Sequence, residues 1–569
     1  MDRLEARRTA GAPPVAGFIV EPAPRSIGDP ARGRDLLAGR FVLGGRCIDA
    51  PGRSPWDIET SDTDFTAALH GFGWLDDLAA LGDGLACRTA QAWTAQWLAR
   101  YARGRGPGWT PALAGRRLLR WLFHATLLLS DRPDGETDPL FAALAHHTAF
   151  LTRRWHRAPP GAARFEALAA LLHAGIMLEG MESHLASART ALGLECAERI
   201  GPDGAISGRN PEELLDILTL LNWASSALSE AGKMADRDHV AAIERIAPTL
   251  RSLRHADGTL ARFHGGGPGA PGRLDRALAE SGVRVAARDT GAMGFARITA
   301  GRSSLIADAA APPAGSSAAH ASTLAFELTS GRRPVIVSCG PAALQGREWR
   351  RAARATALHS TLAVEGMASS RLRPGRVLAR PGPVPLAIRP EAVTLERFNE
   401  PYGRALLMSH DGYVPGHGLT HVRRLDLSAD GRALMGEDTL AAITPDHRAR
   451  FDRFMADNWR QGARFCVRFQ LHPDVAASLD EGGASVLLTL ASGERWRFRH
   501  DGAAMLSLEP SVYFDESRPR PRATAQIVLS SLVTEYAAQA NWTLAKTGET
   551  PVAVRDIEMD APAPAGQAD

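Results

Sequence analysis

Lysine is almost absent from this chain: of 66 basic residues only Lys233 and Lys546 are lysines. Arginine carries the remaining positive charge. A GC-rich bacterial genome produces that bias by itself, and arginine forks also suit carboxylate and sulfate groups on an acidic ligand. The formal net charge of +3 is small for 569 residues, and the basic residues are dispersed through helices and strands, so no nucleic-acid stripe is indicated. Cysteine is sparse as well. Cys47, Cys87, Cys196, Cys339 and Cys466 are odd in number and lack CxxC spacing, which argues against a disulfide framework and a structural zinc knuckle. No run approaches the roughly 20 apolar residues of a membrane span. The start, MDRLEARRTAGAPPVAGFIV, has no apolar stretch with a small-residue cleavage site behind it, so no signal peptide is evident and the expectation from sequence alone is a soluble, cytoplasmic chain. A G-x-S-x-G elbow is missing, which counts against a serine hydrolase. The GGGPG run at Gly265 neither follows a strand nor precedes a helix carrying lysine, which counts against a nucleotide site.

What is present falls into two textures. The length calls for two or three domains. The first 40 residues are rich in Pro, Gly and Arg and read as an extended arm. From about Leu75 to Leu253, apolar residues recur at three- and four-residue spacing in segments such as PALAGRRLLRWLFHATLLLS and NPEELLDILTLLNWASSALSEAG. Thr110-Pro111 and Asn210-Pro211 have the form of a cap followed by proline at the first helical position. These helices imply hairpins packed side by side or around a ring. After HGGGPGAPGR, residues 264–273, the period changes to two. Leu324, Phe326 and Leu328 alternate with Ala325 and Glu327, and Phe465, Val467 and Phe469 with Cys466, Arg468 and Gln470. Helices first and strands afterwards predict an α+β multidomain chain: an arm at 1–40, a helical domain at 41–270, an antiparallel β-sandwich at 285–550 and a disordered tail at 551–569.

His320 and His359 each open an alternating run. An imidazole at the mouth of a strand can bind metal or a substrate hydroxyl, and two such mouths can converge. Trp349 lies in the polar string REWRRAARAT beside Arg350 and Arg354, a combination that suits an acidic sugar or packs between domains. The tryptophans of the helical half, by contrast, stand at core spacing. His146 and His147 read as half-buried surface residues, and His124 and His173 as core-edge residues.

The strings HASTLAFEL at His320, PVIVSCG, WRRAARATALHST through His359, SHDGY at Ser409, HVRRLDL at His421 and FQLHP at Gln470, with SHL at Ser183 and DGAISGRNP at Asp203, resemble the heparinase II/III-like polysaccharide lyases in type and order. The likeness runs from about Phe41 to Val528. It implies a helical (α/α) toroid, a β-sandwich and a substrate cleft between them. The activity implied is β-elimination across a uronic acid of an acidic polysaccharide: its carboxylate is neutralised, a base takes the adjacent carbon-bound proton, and an acid protonates the departing oxygen. It also implies a metal ion in the sandwich domain and a periplasmic or cell-envelope setting.

Carried over by position, the resemblance makes His320 and His359 metal ligands, with Cys339 as a soft third ligand to one zinc ion. His184, Arg209 and Asn210 would bind and neutralise the carboxylate, with His184 also a candidate acid or base. Tyr413 does not match the family's tyrosine by position but is the best surviving phenol, close in sequence to His410, His417 and His421, and would donate or accept a proton. Trp349, Arg350, Arg354 and His421 would line the substrate path. The chain departs from the family pattern at informative places: Ala318 where the catalytic histidine is usual, Ser338 where an aspartate ends a strand, Ser183 in place of an amide, and no tyrosine in DGAISGRNPEELL. Those departures motivate an alternative, a non-catalytic or repurposed relative that binds acidic glycans or cell-envelope polymers. A hydrolase would need two carboxylates facing across the cleft; Glu182 is one candidate without a convincing partner.

Overall fold

A computed structural model of the chain describes residues 1–132, 134–288, 291–342, 345–372, 384–480, 482–515 and 520–548. The tail expected at 551–569 lies outside them.

The helical half is built around helix Ala162–Met177, in which every residue from Phe165 to Met177 is buried. A helix apolar on all sides keeps no solvent face and becomes a core element. Helices Pro111–Phe123, Leu185–Arg199 and Pro211–Glu230 pack on it. The approach of Pro111–Phe123 is close enough that a Cβ on Gly115 would meet Ala167 Cα at 2.7 Å. Thr110 and Asn210 do cap their helices, accepting from the backbone N–H groups of Leu113 and of Glu212 and Glu213. Trp74, Trp97, Trp109 and Trp121 are fully buried core residues. His146 and His147 are buried too, not half-exposed, because the N-terminal helix Asp2–Thr9 docks over His146, while His147 lies among Trp97, Trp109 and Trp121. His146 Nε2 lies 2.6 Å from the Ala6 carbonyl, and His147 Nε2 accepts from Arg117 Nε at 2.9 Å.

In the β half, eight antiparallel strands form one sheet in the order Val393–Glu400, Gly403–Tyr413, Leu419–Ser428, Ala433–Ala441, Ala537–Lys546, Arg495–His500, Ser485–Thr489 and Ala476–Leu479. A four-stranded sheet of Met505–Tyr513, Arg522–Val533, Ala463–Gln470 and Leu362–Val364 faces it. A further sheet, Phe295–Ala300, Ser303–Asp308, Phe326–Ser330 and Arg333–Ile336, continues that second layer through the bridge between Ile336 and Leu471. Rings close the sandwich: Trp542 of the large sheet stacks on Phe326 at 6.0 Å and meets Phe469 edge-on at 4.6 Å.

Strand Phe326–Ser330 departs from simple alternation because it is buried on both faces. Its inner face meets the large sheet and its outer face meets the helical half. Glu327, which period-two logic points at solvent, is therefore enclosed, 2.8 Å from His255 Nε2 and 3.5 Å from Arg262 Nη1. The apolar core of the helical half runs across the same seam to include Phe295, Ile306 and Ala325.

Candidate functional site

The seam between the halves gathers Arg209, Asn210, His320 and His359 from the residues singled out above. Arg209 sits in the turn before helix Pro211–Glu230 with left-handed backbone, φ 50°. Its Nε donates to the Met293 carbonyl at 3.0 Å, Nη1 to Ala310 and Ala311 carbonyls at 3.2 and 2.8 Å, and Nη2 to the Gly294 carbonyl at 2.9 Å and Asp308 Oδ1 at 2.5 Å. A guanidinium has five N–H donors, and all five are engaged within the chain. Asp308 is fully enclosed. Burial alone would raise its carboxyl pKa, but Arg209, His264 and the Ser322 hydroxyl hold it well below the usual range.

Asn210, next in sequence, is held equally firmly. Its Oδ1 caps the helix, and a Cβ on Gly266 would lie 2.3 Å from that oxygen.

Sequence reasoning overlooked His264. Its Nδ1 accepts from the His320 backbone N–H at 3.2 Å, which leaves the ring proton on Nε2, 3.3 Å from Asp308 Oδ2. The available signal was a histidine at the head of a glycine run: Gly265 has φ 86°, and its Cβ would fall 2.8 Å from Ala318 Cβ. His264, His320 and His359 form a buried row with ring centroids 6.3 and 5.1 Å apart. Burial drives all three pKa values down, that of His359 to about 4, so the rings are neutral at pH 7.

His320 and His359 thus converge, as two strand-mouth histidines can, but Cys339 does not join them. Its Sγ faces the Gly340 and Ala353 carbonyls at 3.5 and 3.7 Å in a small apolar cluster with Phe514. Burial pushes its thiol pKa up, away from the thiolate a zinc ion needs. Ser338, where an aspartate would complete the set, offers only a hydroxyl, 3.3 Å from His359 Nδ1. Among the described residues no group of three His, Cys, Asp or Glu side chains is arranged to hold a metal ion. The donor set does not fit a resident zinc.

The remaining candidates are dispersed. Tyr413 lies in the sandwich core, its hydroxyl donating to the Leu362 carbonyl at 2.8 Å, and burial raises its pKa. His421 is enclosed between Asp438 at 2.9 Å and His410 at 3.3 Å. Arg423 grips that same Asp438 at 2.7 and 3.1 Å and donates to the Leu324 and Ser360 carbonyls, fixing the segments beside His320 and His359. Arg350 reaches Asp64 of the helical half at 2.6 Å, and Arg354 holds the Ala319 carbonyl at 2.8 Å. Trp349 is 41% exposed against Phe514. His184, half-buried on a short turn, has Thr152 as its hydrogen-bond neighbour at 3.3 Å, away from the seam cluster. Burial lowers its pKa.

The geometry therefore builds a rigid polar seam whose arginines and carboxylates face one another. No helix of the described residues is long and apolar enough to cross a membrane.

Comparison with known proteins matches this architecture. The chain is similar to heparinase III, with TM-score 0.69 and 12% identity over 96% of this chain and 89% of that one. It is also similar to a mutant of the heparan sulfate lyase HepC from Pedobacter heparinus, with TM-score 0.57 and 14% identity over 96% and 88%. FtsZ-localized protein C of Caulobacter vibrioides is 32% identical over 539 residues, covering 92% of this chain and 89% of that protein. The model of the heparinase II/III-like C-terminal family matches residues 283–543. With a helical half, an antiparallel β half and that match through the sandwich, the chain belongs to the heparinase II/III-like family.

Proposed function

We propose that this chain is a repurposed, non-catalytic member of its family that serves as a binding protein at the bacterial division site, in company with FtsZ. The observation that carries this reading is the state of the groups β-elimination would require. Arg209 has no free donor for a uronate carboxylate, Tyr413 is sealed in the sandwich core, and position 318 is alanine. Carboxylate neutralisation and proton transfer both need groups that reach the ligand, and these do not. The kinship with FtsZ-localized protein C, which extends over nearly the whole of both chains, supports the same direction.

Co-sedimentation of the purified chain with FtsZ polymers, and a fluorescent fusion followed through division, test the proposal. Pelleting with polymer and a band at the division plane are expected. Incubation with heparan sulfate, chondroitin sulfate and other uronate polymers is expected to leave the ultraviolet absorbance of unsaturated uronate at baseline.

One observation favours a second reading, a lyase of an acidic polysaccharide. His184 is partly open to solvent and its lowered pKa leaves it neutral at pH 7, the state a general base needs. Sustained growth of that absorbance, abolished in His184→Ala, would replace the binding proposal with the lyase.

A further inference from the structure

One end of the sandwich carries a feature that no role above uses. Helix Pro445–Asp457 closes into strand Ala463–Gln470 through a short loop in which Trp459 and Arg460 both take left-handed backbone, φ 52° and 56°. Neither residue is glycine, so the conformation carries a steric cost. The loop is pinned by Arg460 N–H donating to the Met455 carbonyl at 2.8 Å and Asn458 Nδ2 donating to the Gly462 carbonyl at 2.9 Å. The outcome is a tryptophan 87% exposed, the reverse of the buried tryptophans in the helical half.

Trp459 is not isolated. A Cβ on Gly462 would lie 3.1 Å from Thr534 Cγ2, which sets the loop against the turn after strand Arg522–Val533. Leu532 pairs across the sheet with Arg464, and the Ala442 N–H donates to the Tyr536 carbonyl at 2.7 Å, which brings Ile443 beside Tyr536. Ile443, Leu532 and Tyr536 are 56%, 43% and 43% exposed. Four large apolar side chains thus share one end of the sandwich, a concentration that marks an interaction surface.

The charges around this patch point to its occupant. Arg453, Asp457, Arg460 and Glu535, two charges of each sign, are exposed and form no hydrogen bond or ion pair through their side chains with another described residue. Both signs stand within a few residues of Trp459. An identical patch turned about a two-fold axis sets each arginine against an acid and each apolar group against another.

We propose that this end of the sandwich is the interface through which two copies of the chain associate, with Trp459 at its centre and Arg460 facing the partner's Asp457 or Glu535. Tryptophan and arginine are the residues on which such interfaces most often depend.

Sedimentation equilibrium of the full chain over a range of concentrations tests this. Wild type is expected to reach twice the monomer mass, and Trp459→Ala to weaken association by at least about thirtyfold. Arg460→Glu alone is expected to be monomeric, and to pair again when mixed with an Asp457→Arg, Glu535→Arg chain. That restoration is something a folding defect cannot mimic. A wild type that stays monomeric at every concentration overturns the proposal, as does a dimer that survives Trp459→Asp. Monomers that bind anionic vesicles in a Trp459-dependent manner overturn it in favour of a lipid surface.

Discussion

Arg209 shows how a residue can keep its place in a pattern and change its work. In sequence it stands where a carboxylate binder is expected; in the fold its five donors tie the loop before helix Pro211–Glu230 to Met293, Gly294, Asp308, Ala310 and Ala311. Removing one partner of a buried pair leaves the other charge uncompensated, which costs about 3–5 kcal/mol. Arg209→Met is therefore expected to lower unfolding free energy by that amount in urea titration, while a surface change such as Arg8→Met leaves it unmoved. The pH dependence has a definite sign. The folded pKa of Asp308 is depressed, so its contribution is complete above the unfolded carboxyl pKa of about 4 and is lost as pH falls below it. On acid titration, wild type should therefore exceed Asp308→Asn in stability by the full amount at neutral pH, and the two should converge as pH falls through that window.

At the scale of elements, helix Ala162–Met177 gives two predictions. Gly115→Val places branched carbon against the Ala167 backbone and is expected to cost about 1–3 kcal/mol by overpacking, read as a lower thermal midpoint. His173 is fully enclosed in the same helix, its pKa pushed down to about 4 by burial. The unfolded chain takes up this proton below pH 6.5 and the folded one does not, so stability falls as pH drops from 6.5 toward 4. His173→Phe should flatten that slope by the equivalent of one proton.

This helix also marks what was legible in the sequence. Periodicity, the Thr110-Pro111 and Asn210-Pro211 caps and the alternation around Phe465 are local properties, and they located helices and strands well. Burial of Glu327 and the five-fold engagement of Arg209 depend on which surface lies opposite, and no local pattern encodes that. His264 was missed for the same reason: it meets His320 only because the Gly265 backbone turns beside Ala318. Tyr413 shows the converse error, a residue placed near histidines in sequence whose strand carries it into the core.

For the molecule as a whole, the decisive property is the continuity of the seam. Three ionic nodes join the halves: Arg209 with Asp308, Glu327 with His255 and Arg262, and Arg350 with Asp64. The apolar core passes between them through Phe295, Ile306 and Ala325. Domains joined by a small polar interface move independently and unfold separately. Here the buried charges of each half find their partners in the other, so exposing one half strands ions in the remaining one. Wild type is accordingly expected to show a single calorimetric transition with equal calorimetric and van't Hoff enthalpies. Combining Arg209→Met with Glu327→Met removes two of the nodes and should divide it into two transitions. The earlier one belongs to whichever half retains less core of its own. A wild type that already melts in two steps would mean that the nodes join the halves without coupling their stability, and the seam would then be a hinge.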